Sequence, residues 1–367
     1  MENPDHHLPR KILVAPLDWG LGHATRCIPL IRSLLRQNAG VVLAGDGVIR
    51  TLLETEFPQL PFAELKGYGV SYSKNRWTLP FTIASQIPKI ISAIQYENER
   101  LADIVKEHGI EGIISDNRYG LYHESVPSVI MTHQLLVKTG FGKTADSYLQ
   151  KLHYEYISNF SACWIPDQEQ APGLAGELSH PTNMPAVPVQ YLGPLSRMQE
   201  GPQKEDHLLI ILSGPEPQRT LLENILLEQL ESYKEQVVLV RGLPGGQEKI
   251  NAPSHVRVYD HLPAASLNQL MNEASFIISR CGYSTVMDLA AIGKKSILIP
   301  TPGQTEQEYL GRHLMQQHFA LSIDQNKFRL KGALDLAKHF PYSFTSLKSS
   351  ALDETIVTFL NNLPEKI

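Results

Sequence analysis

Short apolar runs alternate with amphipathic, helix-length runs along almost the whole chain, and the alternation starts twice. The first series is KILVAPL, GVVLAG, PFAEL, GIEGIIS, PSVIMT and SACWIP; the second is HLLIILS, QVVLVRG, VRVYD, SFIIS and KSILIP. Each run suits one strand buried on both faces and is too short for a helix. Strands separated by helix-length segments are the pattern of βαβ units in a parallel sheet. Between the two series lies HPTNMPAVPVQYLGPLSRMQEGPQKED, dense in proline, glycine and polar residues, which reads as a connection between folding units. The sequence therefore predicts an α/β protein of two tandem doubly wound domains. The first covers residues 1–192, the linker 193–206 and the second domain 207–345. A last helix, over about 346–367, has Leu352, Ile356 and Phe359 as its apolar stripe and is expected to pack back on the first domain.

A chain of 367 residues has room for roughly two such domains. With 42% hydrophobic and 19% charged residues it can fill sizeable cores, and a net charge of −5 gives no reason to expect a nucleic-acid partner. Cys27, Cys163 and Cys281 are too scattered for a disulfide framework or a zinc site, which fits a reducing, cytoplasmic compartment. The opening MENPDHHLPR is polar, and the apolar run after it is too short for a signal peptide. No run approaches the roughly 20 apolar residues of a membrane span.

The first strand-to-helix joint is LDWGLGHATRC, Leu17 to Cys27. GLGHAT nearly satisfies the G-x-G-x-x-G dinucleotide pattern, and Asp46 follows the second strand where a ribose-binding acid would sit. Thr25 stands in place of the third glycine. Gly20 and Gly22 permit a tight turn and close backbone approach whatever the ligand. His23 falls at the start of a helix, on the strand edge where ligands bind in open α/β sheets. A helix N-terminus disfavours imidazolium and leaves the ring available as a base. Asp116, in SDNRYG after another strand, is expected on the same edge, where an acid can orient that histidine. A capping histidine and a loop-capping aspartate are the plainer alternatives.

The second joint, SRCGYSTVMD, has Gly282 for the turn and Ser284 and Thr285 opening a helix whose free N–H groups suit a phosphate. Asp288 lies at i+4 from Ser284, on the same face, where a carboxylate could accept from a ribose diol. After the next strand, Glu306 and Gln307 stand at a helix start where they could bind sugar hydroxyls. An ordinary βαβ unit with surface polar residues is the alternative.

RCGYSTVMD resembles the donor signature of the GT-B nucleotide-sugar glycosyltransferases, which have two Rossmann-like domains facing a cleft. The matching strings are H-C-G-W-N-S-x-x-E in the plant UDP-glycosyltransferases and R-S-G-A-x-T-x-x-E in the lipid II N-acetylglucosaminyltransferases. The resemblance implies that Arg280, Ser284 and Thr285 approach a diphosphate, that Asp288 holds the ribose, and that Glu306 and Gln307 contact the donor sugar. GLGH is similar to the family's Gly-His loop, which makes Gly20, Gly22 and Arg26 acceptor-side residues and His23 a base partnered by Asp116. Arg26 stands where a proline is common, and Asp288 is shorter than the usual glutamate. LLIILSGPEPQR resembles the second phosphate loop, with Ser213, Gly214 and Arg219; VYDHLP brings Asp260, His261 and Leu262 to the base. The first domain would then bind the acceptor and the second the donor.

The expected activity is inverting transfer of a hexosyl group from a UDP-sugar, or another nucleotide diphosphate sugar, to an acceptor hydroxyl. No cofactor is expected beyond that co-substrate. No Asp-x-Asp occurs, so no metal is assigned. A nonhydrolysing UDP-sugar 2-epimerase, an NAD-dependent oxidoreductase using GLGHAT, and a non-catalytic binding subunit remain as alternatives. The acceptor is left open as a glycan, a lipid-linked molecule or a small molecule. Lys66 to Ile94 holds Lys66, Lys74, Arg76 and Lys89, no acid, and Tyr68, Tyr72, Trp77, Leu79, Phe81 and Ile83. With the run THQLLVKTGFGKTA it suggests a peripheral contact with the inner face of a membrane, against the plainer reading of core residues with a solvated basic face.

Overall fold

The computed structural model describes residues 9–69, 86–214, 216–246, 250–344 and 351–364. It contains two separate sheets in which every pairing is parallel. The first has seven strands in the order β3-β2-β1-β4-β5-β6-β7, the second six in the order β10-β9-β8-β11-β12-β13. In the first sheet these are β1 Lys11–Pro16, β2 Gly40–Gly45, β3 Phe62–Glu64, β4 Gly112–Asp116, β5 Ser128–Met131, β6 Ala162–Ile165 and β7 Val189–Tyr191. In the second they are β8 His207–Ile211, β9 Val237–Val240, β10 Val256–Tyr259, β11 Ala274–Ser279, β12 Ser296–Leu298 and β13 Leu321–Ser322. The helices of the first half are α1 Leu21–Arg36, α2 Gly47–Glu56, α3 Ile87–His108 and α4 Lys143–Ile157. Those that follow are α5 Gln218–Leu230, α6 Ala264–Glu273, α7 Tyr283–Ile292, α8 Thr305–Gln316, α9 Leu330–His339 and α10 Leu352–Asn361.

The central strands are apolar throughout because helices cover both faces of a parallel sheet. Ile12, Leu13, Val14 and Ala15 of β1 are fully buried, as are Leu209, Ile210, Ile277 and Ile278 in the second sheet. Ala24, Cys27, Ile28, Ile31 and Leu34 form the buried stripe that seats α1 on the first sheet. The chain leaves α3 at Gly109 and α7 at Gly293, both left-handed, the conformation that ends a helix with least strain in glycine.

Strand order positions the site. It reverses between β1 and β4 in the first sheet and between β8 and β11 in the second. At such a switch point neighbouring connections leave on opposite faces and open a crevice beyond the strand ends. The β1–α1 loop and Asp116 lie at the first crevice; Ser213, Gly214 and the Arg280–Gly282 turn lie at the second.

The chain crosses between the sheets twice. After β13 and α9, which belong to the second sheet's side, α10 returns to the first domain. Asp353 accepts from Ser33 Oγ and from Arg36 at 2.7 Å, and Phe359 packs edge-on against Trp164 at 5.4 Å between ring centres.

Candidate functional site

Asp116 is the last residue of β4 and pairs in register with Pro16, the last of β1. His23, in the first turn of α1, hangs over it with Nδ1 3.1 Å from Asp116 Oδ2. Arg26 comes one turn later on the same face. Its Nε donates to Asp116 Oδ2 at 2.9 Å and a terminal nitrogen donates to Asp116 Oδ1. Both side chains are buried. Burial opposes the Asp116 charge, but Arg26 and His23 outweigh it and hold the carboxyl at about 2.

The guanidinium reaches further. One terminal nitrogen is 2.9 Å from His23 Nδ1 and the other 3.2 Å from His133 Nδ1. His133 follows β5, so it sits on the same strand edge as Asp116. Its Nε2 is 2.8 Å from Glu306 Oε1, in the first turn of α8 of the second domain. Burial pushes the His133 imidazole down; burial pushes Glu306 up, but His133 beside it carries it below the ordinary range. His133 also stacks on Tyr283, at 4.1 Å and 5° between ring planes, and the Tyr283 hydroxyl donates to Pro166 O at 2.9 Å. His23, Asp116, Arg26, His133 and Glu306 thus form one chain of polar contacts from the first domain into the second.

Gly22 and Ser284 also meet. Ser284 Oγ donates to the Gly22 carbonyl at 2.8 Å, and Thr25 Oγ1 donates to the same oxygen at 3.0 Å. Gly20, at φ 111°, is the N-cap of α1, and Gly282 that of α7. Neither helix has a side-chain cap or an acidic residue in its first turn, so their N–H groups remain available to an anion. Thr285 is partly buried in the same turn of α7.

Other predicted residues make protein contacts. Asp288 accepts from Ser196 Oγ of the linker at 2.6 Å, and burial raises it to about 6. Arg280 is fully buried and donates to the carbonyls of Gln218 at 2.6 Å, Ile299 at 3.3 Å and Pro300 at 3.5 Å; burial lowers it to about 10. It points into the second domain, not out of the turn. Gln307 is buried and accepts from the Thr301 N–H at 2.9 Å. Arg219 pairs with Glu216 at 2.6 Å, and Asp260 pairs with Arg241 at 2.6 Å. Glu223 lies between Arg219 and Arg241, at 3.2 and 2.6 Å. Arg219 and Arg241 line a pocket of about 440 Å³ with Glu216 and Gly245; Gly214, in the loop after β8, has φ 98°. His261 is partly buried and lowered by burial and Arg197, while Leu262 packs against the core.

Three contributors escaped the sequence reading: His133, Tyr283 and Ser196. For His133 the signal was present, since it follows a strand of the first sheet as Asp116 does. Asp46, the acid that favoured a dinucleotide, instead accepts the Gly67 N–H at 3.0 Å. Asp18 takes those of Tyr68 and Gly69 at 3.0 and 3.1 Å.

Residues 209–350 match the glycosyltransferase family 28 C-terminal domain. The structure resembles the glycosyltransferase of kitacinnamycin, with TM-score 0.64 and 14% identity over 96% of this chain and 94% of that one. It resembles the calicheamicin glycosyltransferase CalG4 at TM-score 0.57 and 12% identity over 96% and 94%. It resembles Acinetobacter baumannii MurG at TM-score 0.52 and 15% identity over 97% and 96%. The fold is therefore GT-B, with two Rossmann-like domains. A 60-residue stretch is 43% identical to a UDP-N-acetylglucosamine–N-acetylmuramyl-(pentapeptide) pyrophosphoryl-undecaprenol N-acetylglucosamine transferase of Methylorubrum extorquens. That stretch spans 16% of this chain and 16% of the relative.

Proposed function

We propose that the protein is an inverting glycosyltransferase that moves a hexosyl group from a nucleotide diphosphate sugar, UDP-linked, to an acceptor hydroxyl. The observation that carries this reading is the His23–Asp116 pair standing across from the start of α7 in a family 28 donor domain. His23 takes the proton of the acceptor hydroxyl, which attacks the anomeric carbon from the face opposite the diphosphate. Asp116 stabilises the imidazolium. The leaving diphosphate is met by N–H groups at the start of α7 with Ser284 and Thr285. Asp288 takes the ribose once Ser196 yields it, His261 and Leu262 flank the base, and Glu306 and Gln307 bind the sugar. Arg280 acts from inside the domain by fixing the turn that carries these groups. The domain boundaries are those of the two sheets, with α10 part of the acceptor domain.

The step is assigned no metal, and an unchanged rate in chelator is the expected result. A screen of nucleotide sugars scored by released nucleoside diphosphate tests the reading. Stabilisation by NAD but not UDP would overturn it, because a ligand of the native state raises its melting temperature.

The acceptor is proposed to be presented at a membrane surface, with the protein held there peripherally from the cytoplasmic side. Phe141, Tyr148 and Leu152 are exposed at the start and along one side of α4, with Lys143 and Lys151 on the same helix. No helix among the described residues is long and apolar enough to cross a membrane. Of the basic aromatic run, Tyr72, Lys74, Arg76, Trp77, Leu79, Phe81 and Ile83 lie outside the described residues.

A further inference from the structure

Arg26 lies where its donors meet both histidines and the Asp116 carboxylate of the contact chain. We infer that Arg26 is a positioning residue that fixes which ring nitrogens of His23 and His133 hold their protons, and so ties the acceptor-side pair to Glu306. The inference deepens the assignment of His23 as base and rests on it.

A guanidinium has five N–H groups and no lone pair, so a nitrogen that hydrogen-bonds to it must accept. Arg26 spends one N–H on each oxygen of Asp116. A further one points at His133 Nδ1, which makes Nδ1 the acceptor and puts the proton on Nε2. That proton is the one donated to Glu306 at 2.8 Å, so the two contacts of His133 agree on one tautomer.

At His23 the contacts compete. Nδ1 has Arg26 at 2.9 Å, which can only donate, and Asp116 Oδ2 at 3.1 Å, which can only accept. Asp116 Oδ2 already accepts from Arg26 Nε at 2.9 Å and from the Cys27 thiol at 3.7 Å, which fills its two lone pairs. In the resting protein Nδ1 therefore accepts from Arg26, and Nε2 carries the proton. Nε2 makes no hydrogen bond to a described residue, so it is the nitrogen left for substrate. To accept a proton there, His23 must carry its own on Nδ1, donated to Asp116, and release Arg26. The far end of the link is Glu306, on the donor side. A sugar hydroxyl that takes the Glu306 carboxylate frees His133 and, through it, the guanidinium. Donor occupancy and the basic form of His23 are thereby coupled.

Nitrogen-15 NMR of the full chain labelled at histidine, without ligand, tests this at any activity. His133→Gln and His23→Gln assign the signals. The expected result is a bare Nδ1 and a protonated Nε2 on both rings. In Arg26→Lys, which keeps the charge beside Asp116 but cannot fork, the His23 proton should move to Nδ1. A protonated Nδ1 on His133, or an unaltered His23 pattern in folded Arg26→Lys, overturns the inference. If Arg26→Lys does not fold, the wild-type His133 signal decides alone. An inactive protein showing the expected pattern would count against the transfer reading and not against Arg26.

Discussion

Ser284 Oγ hydrogen-bonds the Gly22 carbonyl at 2.8 Å, so the start of α7 in the second domain rests on the start of α1 in the first. A methyl group on Gly22 would come within 2.9 Å of that oxygen, closer than real contacts allow. A side chain at position 22 would displace the Ser284 hydroxyl from its contact with the Gly22 carbonyl.

Gly22→Val should hold the two helix starts apart while leaving each domain folded. Since misplacement of about 1 Å can cost 10²-fold, transfer should fall by about that factor with the melting temperature little changed. Small-angle scattering should show an expanded particle. Wild-type activity in this variant would mean that the contact does not belong to the working arrangement.

His23→Ala should slow transfer by roughly 10²–10⁴-fold and leave UDP affinity unchanged, as loss of a general base does. Asp116→Asn should differ from it in stability. It leaves the buried Arg26 cation without its carboxylate, which costs about 3–5 kcal/mol when one partner of a buried pair is removed. Denaturant titration of both variants separates the two effects; equal stabilities would refute the role given to the Arg26–Asp116 pair.

Asp288→Asn should have two effects of opposite sign. UDP should bind more weakly, since hydrogen bonds to a charged acceptor are worth about 1.5–3 kcal/mol. The protein itself should become more stable at pH 7. The native carboxyl at about 6 binds its proton more tightly than the unfolded one near 3.8, so stability is lost as pH rises between those values. Partial exposure makes about 3 kcal/mol an upper bound for that penalty. Melting curves from pH 4 to 7 should flatten in the variant.

Asp116 titrates with the other sign. Held at about 2 in the native state against 3.8 unfolded, it contributes up to about 2 kcal/mol near neutrality. That contribution should disappear as pH falls from about 4 through 2. Arg26→Gln should remove this acid limb; its persistence would assign the limb to other carboxylates.

If the membrane face is real, the protein should sediment with anionic vesicles at low salt and be released by salt. Each basic residue near an anionic surface is worth about 1 kcal/mol, within a Debye length of about 8 Å. Phe141→Ser with Lys143→Glu and Lys151→Glu should abolish sedimentation and leave UDP binding intact. Binding that survives both the substitutions and salt would rule out this surface.

The two-sheet architecture was legible because buried parallel strands announce themselves as unbroken apolar runs. The strands missed were the weakest: β7, of three residues, and β13, of two, both at sheet edges. β7 lies inside the proline-rich stretch read as linker, where an edge strand tolerates prolines because one side has no ladder to supply. At the site, the strand-edge rule reached His23 and Asp116 but not which way a side chain turns after the strand ends. Arg280 shows this, reaching backbone carbonyls inside its domain. His133 shows a different gap: its importance comes from Glu306, 173 residues away, and no local pattern carries that pairing.

The return of α10 to the first domain has a mechanical consequence. The second domain is inserted into its neighbour and tethered to it by two chain segments. One tether would permit swivelling in any direction. Two covalent connections leave fewer relative motions open than one would. The second connection therefore limits how far Ser284 can stray from Gly22 and Glu306 from His133.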